Sequence, residues 1–130
     1  MKHLTYGYDE SISPALPVLE IEIEGYQAPY SRQRLTAIVD SGADSTALPR
    51  PALVACGAAY RDTVRMRGVT GVSRQVDRFL TMIHIGEVTV RGIYAVALPA
   101  GSDPLLGRDA LNQLVLTLNG PAHVIELAIE

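Results

Sequence analysis

Asp40, Ser41 and Gly42 follow directly on the short apolar run Leu35 to Val39, and Asp44 comes two residues after the glycine. A carboxylate placed there leaves a buried strand for a turn loosened by glycine. It stands at the margin of the core, a setting suited to acid–base chemistry. The same tripeptide also makes an ordinary Asx-type turn that closes a strand, so three residues do not decide between the two readings. Two further segments carry patterned polar residues. In Leu105 to Gln113, the residues Gly107, Arg108 and Asp109 open a stretch whose apolar positions Leu106, Ala110, Leu111 and Leu114 share one helical face. Gly68-Val69-Thr70-Gly71 interrupts two alternating stretches.

Other chemistries find less support. Cys56 lies in an apolar stretch with no positioned histidine and reads as a small hydrophobe. Ser41 and Ser45 lack the Gly-X-Ser-X-Gly elbow of a serine nucleophile. Gly68 to Gly71 lacks the Gly-Lys-Ser/Thr ending of a phosphate loop. His3, His84 and His123 are scattered, with no pair at ligand spacing, so no metal site is expected. His84 lies within a strand pattern and reads as structural.

The elements around these groups read almost wholly as strands. Leu19, Ile21 and Ile23 alternate with Glu20, Glu22 and Glu24, which predicts a strand over residues 16–24 whose glutamates face solvent and blunt a sheet edge. Leu35 to Val39 reads as a short buried strand. Leu53 to Ala59 reads as a helical turn ended near Gly57. Residues 60–67 and 72–85 alternate on either side of Gly68 to Gly71 and predict a hairpin. Gly86-Glu87 predicts a tight turn into a strand over Val88 to Leu98, with a bulge at Gly92. Gly107 to Leu114 is the helix candidate. Val115 to Leu118 and Val124 to Ile129 read as a final strand pair turning at Asn119-Gly120-Pro121. Residues 1–15 are weakly patterned and read as a loose arm or an ordered extension. The expectation is an all-β fold, a small barrel or sandwich with one short helix.

Composition sets the outer limits. The chain has 130 residues, of which 48% are hydrophobic and 19% charged, enough for one domain with a real core. A net charge of -3 argues against a general nucleic-acid coat. A single cysteine excludes an internal disulfide. No apolar run approaches the roughly 20 residues that span a membrane. Residues 1–8 lack the apolar stretch of a secretory signal, so a soluble, cytoplasmic protein is expected.

The stretch Ala37 to Ser45 resembles the catalytic loop of the retropepsin-like aspartic proteases, the single-lobed relatives of the retroviral enzymes. Leu105 to Gln113 is similar to that family's apolar-apolar-Gly-Arg-Asp/Asn helix start, and Gly68 to Gly71 falls where the family places its flap hairpin. The resemblance spans about residues 16–119 and implies an arm over 1–15 and a protease domain over 16–130. It implies a closed, barrel-like acid-protease lobe with one short C-terminal helix, working as a homodimer on an extended polypeptide without a cofactor. The class hydrolyses peptides with two carboxylates that share one proton, because acids about 3 Å apart cannot both ionise. One loop per chain then means that each copy supplies one Asp40.

By the same resemblance Ser41 braces the paired loops through its hydroxyl, and Gly42 lets the substrate backbone approach. Ala43 floors a subsite. Asp44 bonds substrate backbone and pairs with Arg108, which Gly107 and Asp109 support. Gly68, Val69, Thr70 and Gly71 cover the substrate. Arg61, Arg65, Arg67, Arg74 and Arg78 gather on the same hairpin, either as a solvated face or as a preference for acidic substrates. The chain departs from the retroviral pattern in its longer N-terminal arm, its less glycine-rich flap and its continuation past Asn119. That added hairpin would replace, extend or block the terminal-strand dimer interface. Two rival readings stand beside the peptidase. One is a non-catalytic peptide-binding or dimerisation module on the same fold. The other is a protease restricted to self-processing or to a single protein.

Overall fold

The computed structural model describes residues 2–27, 31–68 and 70–129. The barrel begins with β2 (Val18–Glu24) and β3 (Gln33–Val39), an antiparallel pair. A short β4 (Ala47–Pro49) follows, with β1 (Lys2–Gly7) lying ahead of all three. After helix α1 (Arg50–Ala55) come the long strands β5 (Ala59–Arg67), β6 (Ser73–Ile85) and β7 (Val88–Leu98). The two-residue β8 (Leu105–Leu106), helix α2 (Arg108–Leu111), β9 (Val115–Asn119) and β10 (Val124–Ile129) complete the order.

The main sheet runs β2-β3-β8-β4-β7-β6-β5, and β2 also pairs with β6. That extra pairing closes β2, β3, β8, β4, β7 and β6 into a six-stranded ring. β5 stays outside the ring as the partner of the far half of β6. Closure rests on a short ladder in which Glu22, Ile23 and Glu24 face His84, Ile83 and Met82. Closing the ring removes the open edges from these strands.

The period-two reading of β2 holds inside the barrel, where Leu19, Ile21 and Ile23 are buried with Ala37, Leu48, Ile83, Ile85, Val90, Ile93 and Leu106. The solvent-facing reading of the glutamates holds for the exposed Glu20 but needs correction for Glu24, as does the edge-strand role. β2 is an interior strand of the ring, and Glu24 is drawn into the seam: its carboxylate meets His84 Nε2 at 2.7 Å and Arg32 at 3.4 Å. His84 also bonds Thr89, so it is a structural residue, as its strand position suggested.

The bulge at Gly92 is present. The β6–β7 register slips between Thr81 and Ile83, and Gly92 adopts φ +70°, a conformation that a side chain disfavours. The expectation of one helix is also corrected. Helix α1 forms over Arg50–Ala55, a few residues earlier than the sequence suggested, and Pro51 sits in its first turn, where no amide hydrogen is needed. Six residues with Leu53 as the buried one carry too little periodicity to be read. Helix α2 is shorter than expected, because Asn112 to Leu114 fall in turns.

The terminal segments form a second sheet, β1-β10-β9. The weakly patterned N-terminus thus contributes an ordered strand, running from Lys2 opposite Ile129 to Gly7 opposite Val124. Ile125 and Leu127 are buried in the common core, with Leu4, Tyr6 and Leu116 packed beside them. Among the described residues no helix is long and apolar enough to cross a membrane.

Candidate active site

Residues 40–46 bridge two strands that both pair with β8. β3 runs parallel to β8, with Ile38 beside Leu105 and Val39 beside Leu106, and β4 meets it through Ala47. The two ends of the loop are therefore pinned to one short strand. The Asp40 amide donates to the Leu106 carbonyl at 3.0 Å, which fixes where the carboxylate emerges. Its Oδ1 accepts the Gly42 amide at 2.9 Å. This is the Asx turn the tripeptide allowed, and it leaves Oδ2 with no hydrogen-bond partner among the described residues.

Helix α2 braces the loop from behind. Gly107 packs directly beneath it: a Cβ there would stand 2.5 Å from the Ser45 carbonyl carbon, so only glycine permits this approach. The Arg108 amide donates to the Ala43 carbonyl at 2.9 Å. The Asp109 carboxylate accepts the Thr46 amide at 3.0 Å and the Thr46 hydroxyl at 2.7 Å, and its Oδ1 also takes the Ala110 amide at 2.8 Å. The Thr46 hydroxyl in turn accepts the Gly107 amide at 3.2 Å. Thr46 is fully buried, so this network satisfies polar groups that water cannot reach.

The sequence named Gly107, Arg108 and Asp109 as supports but missed Thr46. Nothing in its spacing marks it, and only the placement of α2 against the loop reveals it. Arg108 pairs with Asp44 as expected, but it divides its guanidinium: Nη2 meets Asp44 and Nη1 donates to the Ser41 carbonyl at 3.1 Å. This pair is exposed and contributes little to stability. Ser41 and Gly42 are exposed and Ala43 is half-buried.

Across from the loop lies the β5–β6 hairpin. A hollow of about 490 Å³ is lined by Asp40, Gly42, Ala43 and Asp44 on one side and by Met66, Arg67 and Gly68 on the other. The hairpin tip turns through Gly68 and Gly71, whose amides donate to Val72 and Gly68 carbonyls, and Thr70 is exposed. Val69 lies outside the described residues.

Ion pairs anchor the hairpin lower down. Arg78 grips Asp62 across the strands through Nε at 2.8 Å and Nη2 at 2.7 Å. Asp77 accepts the Thr63 hydroxyl at 2.7 Å and Arg50 of α1 at 2.6 Å. These bonds, from Arg78 to Asp62 and from Thr63 and then Arg50 to Asp77, hold both carboxyls below their usual range. A depressed carboxyl stabilises the folded state fully above its unfolded value, near pH 4, and that contribution is lost as pH falls through the folded value. Hydrogen exchange at about pH 5 and about pH 3, corrected for intrinsic rates, should therefore show β5 losing protection in acid before the barrel strands do.

The family model described as "gag-polyprotein putative aspartyl protease" matches residues 27–113, which include the Asp40 loop, the hairpin and α2. A crystal structure of a retropepsin-like aspartic protease from Rickettsia conorii superposes with a TM-score of 0.64. It is 14% identical in sequence, and the match covers 97% of this chain and 90% of that one, so the likeness is one of fold. No curated protein sequence matches.

Proposed function

We propose, on the premise that this chain belongs to the gag-polyprotein aspartyl protease family, that two copies build one site that hydrolyses peptide bonds. The observation that carries this reading is the Asp40 carboxylate, fixed through Oδ1 and open at Oδ2 on a hollow faced by the hairpin. Each chain brings a single loop of this kind, so the pair of carboxylates needs a second copy. In the dyad, the ionised Asp40 takes a proton from a water as its oxygen attacks the scissile carbonyl carbon. The protonated Asp40 gives its proton to the carbonyl oxygen, forming a tetrahedral diol. Collapse of the diol breaks the C–N bond, and a proton passes to the leaving amine.

Ser41 faces the second copy and braces the two loops through its hydroxyl. Gly42 admits the substrate backbone, Ala43 floors a subsite, and Asp44, steered by Arg108, bonds the substrate main chain. Gly68, Thr70 and Gly71 form the flap tip that excludes water. The substrate lies extended and is held partly by main-chain hydrogen bonds. Digestion of a mixed peptide pool, read by mass spectrometry from about pH 4 to pH 7, tests this reading. Absence of cleavage by protein that sediments as a dimer would favour the non-catalytic binding module instead.

The terminal sheet offers the surface for the second copy. β9 forms one edge of that sheet, and its five residues carry no charge and no proline. Such an unguarded edge is open to pairing with another strand. Leu118 lies opposite the buried Ile125, on the side facing the core, yet is 52% exposed at this edge. Antiparallel pairing of β9 with its copy would cover it and join the sheets across the two-fold axis. Leu118→Lys places two like charges at that seam, so sedimentation should show a monomer, and cleavage should fall in step with dimer loss.

A further inference from the structure

The hollow that holds Asp40 continues along the hairpin. It shares Met66, Arg67 and Gly68 with a second hollow of about 590 Å³. The wall of this second hollow is apolar, built from Met66, Val72, Val76, Val96, Ala97 and Leu98, and its charged residues are Arg67 and Arg74. Of the five hairpin arginines only Arg78 is ion-paired among the described residues; Arg61 and Arg65 are unpaired too but line neither hollow. Arg78 and Arg50 are neutralised by Asp62 and Asp77. Arg67 and Arg74 form no ion pair and no side-chain hydrogen bond among the described residues, and both are exposed. In the first hollow the other charges are Asp40, assigned to the chemistry, and Asp44, already paired with Arg108.

We infer that this groove selects polypeptides with an acidic side chain flanking the cleaved bond, next to an apolar residue. Arg74 shares the hairpin face of its cross-strand partner Met66 and of Val76, beside the apolar wall, while Arg67 points from the opposite face at the rim shared with the Asp40 hollow, so each unneutralised guanidinium takes a carboxylate through paired N–H donors. Successive residues of an extended peptide point to opposite sides, so the apolar and acidic side chains reach different parts of the groove. In a two-fold dimer each copy supplies its own Arg67 and Arg74, and the preference extends to both sides of the bond. The apolar wall and the chain's net charge of -3 favour a peptide over a nucleic acid as occupant. This inference rests on the peptidase reading for its substrate, and the test separates the two.

Two peptides differing only by Glu or Gln beside the cleaved bond would be compared at about pH 6, where glutamate is ionised. The wild type should favour the Glu peptide in kcat/KM by about tenfold at low salt, and the ratio should shrink in high salt. In the Arg67→Gln, Arg74→Gln double variant the ratio should fall to about one. Equal rates for the two peptides in the wild type at low salt would overturn the inference, as would a preference that survives the double variant. The salt response of the wild type stands even if the variant fails to fold. If no peptide is cut, the peptidase reading fails by itself. Fluorescence anisotropy of the same labelled peptides on Asp40→Asn protein then measures the preference directly: tighter binding of the Glu peptide supports it and equal binding overturns it. A single-stranded oligonucleotide that displaces the Glu peptide and binds more tightly, in an Arg67- and Arg74-dependent way, would overturn it in favour of nucleic acid.

Discussion

Asp40→Asn protein is expected to fold and dimerise like the wild type and to lose at least about 10³-fold in kcat. The change is nearly isosteric. An asparagine carbonyl oxygen accepts the Gly42 amide as Oδ1 now does, so the turn that shapes the loop survives. On the proposed mechanism, what disappears is the carboxylate's ability to take a proton from water and to share one with a second copy's Asp40. Peptide digestion with both proteins, checked by circular dichroism and sedimentation, reads this directly, and retained turnover in the variant would sink the mechanism. Mixing adds a second arm. If each site needs two Asp40 residues, an equal mixture of re-equilibrated wild type and variant should show about half the activity per wild-type chain, because random pairing leaves about half of those chains with a competent partner. A chain acting alone would show no such loss.

The second large effect is on stability. Asp109→Ala removes the acceptor for the Thr46 amide, the Thr46 hydroxyl and the Ala110 amide. Thr46 is fully buried, so its donors would be left unpaired away from water. Each such loss costs about 1–3 kcal/mol, and an expected total near 3 kcal/mol is a large share of the stability of a domain this size. The melting temperature should fall by about 10 °C. Urea unfolding of Asp109→Ala, Thr46→Val and the double variant would show strong non-additivity, because the two residues form one network. Arg108→Ala makes the contrast. Its partner Asp44 is 78% exposed, so that loss should cost within about 1 kcal/mol. Should Arg108→Ala prove as destabilising as Asp109→Ala, the assignment of Asp109 as the principal brace would be wrong.

Much of this arrangement is visible in the chain before it folds. Alternation in Leu19 to Glu24 gives the inward face of β2, and Gly92 announces its bulge. Asn119-Gly120-Pro121 marks the turn between β9 and β10. The loop at Asp40 and the Gly107-Arg108-Asp109 step are legible because local motifs keep their spacing wherever they fold. The sequence also held the pairing of Asp44 with Arg108, although only through the resemblance.

Four matters lay beyond that reading. Glu24 looks like a solvent-facing strand residue until β6 closes the ring and brings His84 to it. Thr46 becomes a buried hub only when α2 packs behind the loop, 63 residues further along the chain. Residues 2–7 become a strand because β10 offers them an edge. The five hairpin arginines are chemically alike in sequence, and their distinction arises from which of them find a carboxylate in space. Periodicity and turn chemistry are local, set by the 2.0 and 3.6 residue repeats and by the backbone freedom of glycine and proline. Which charges are neutralised and which polar groups are buried depends on contacts between distant segments, and those exist only once the barrel has closed.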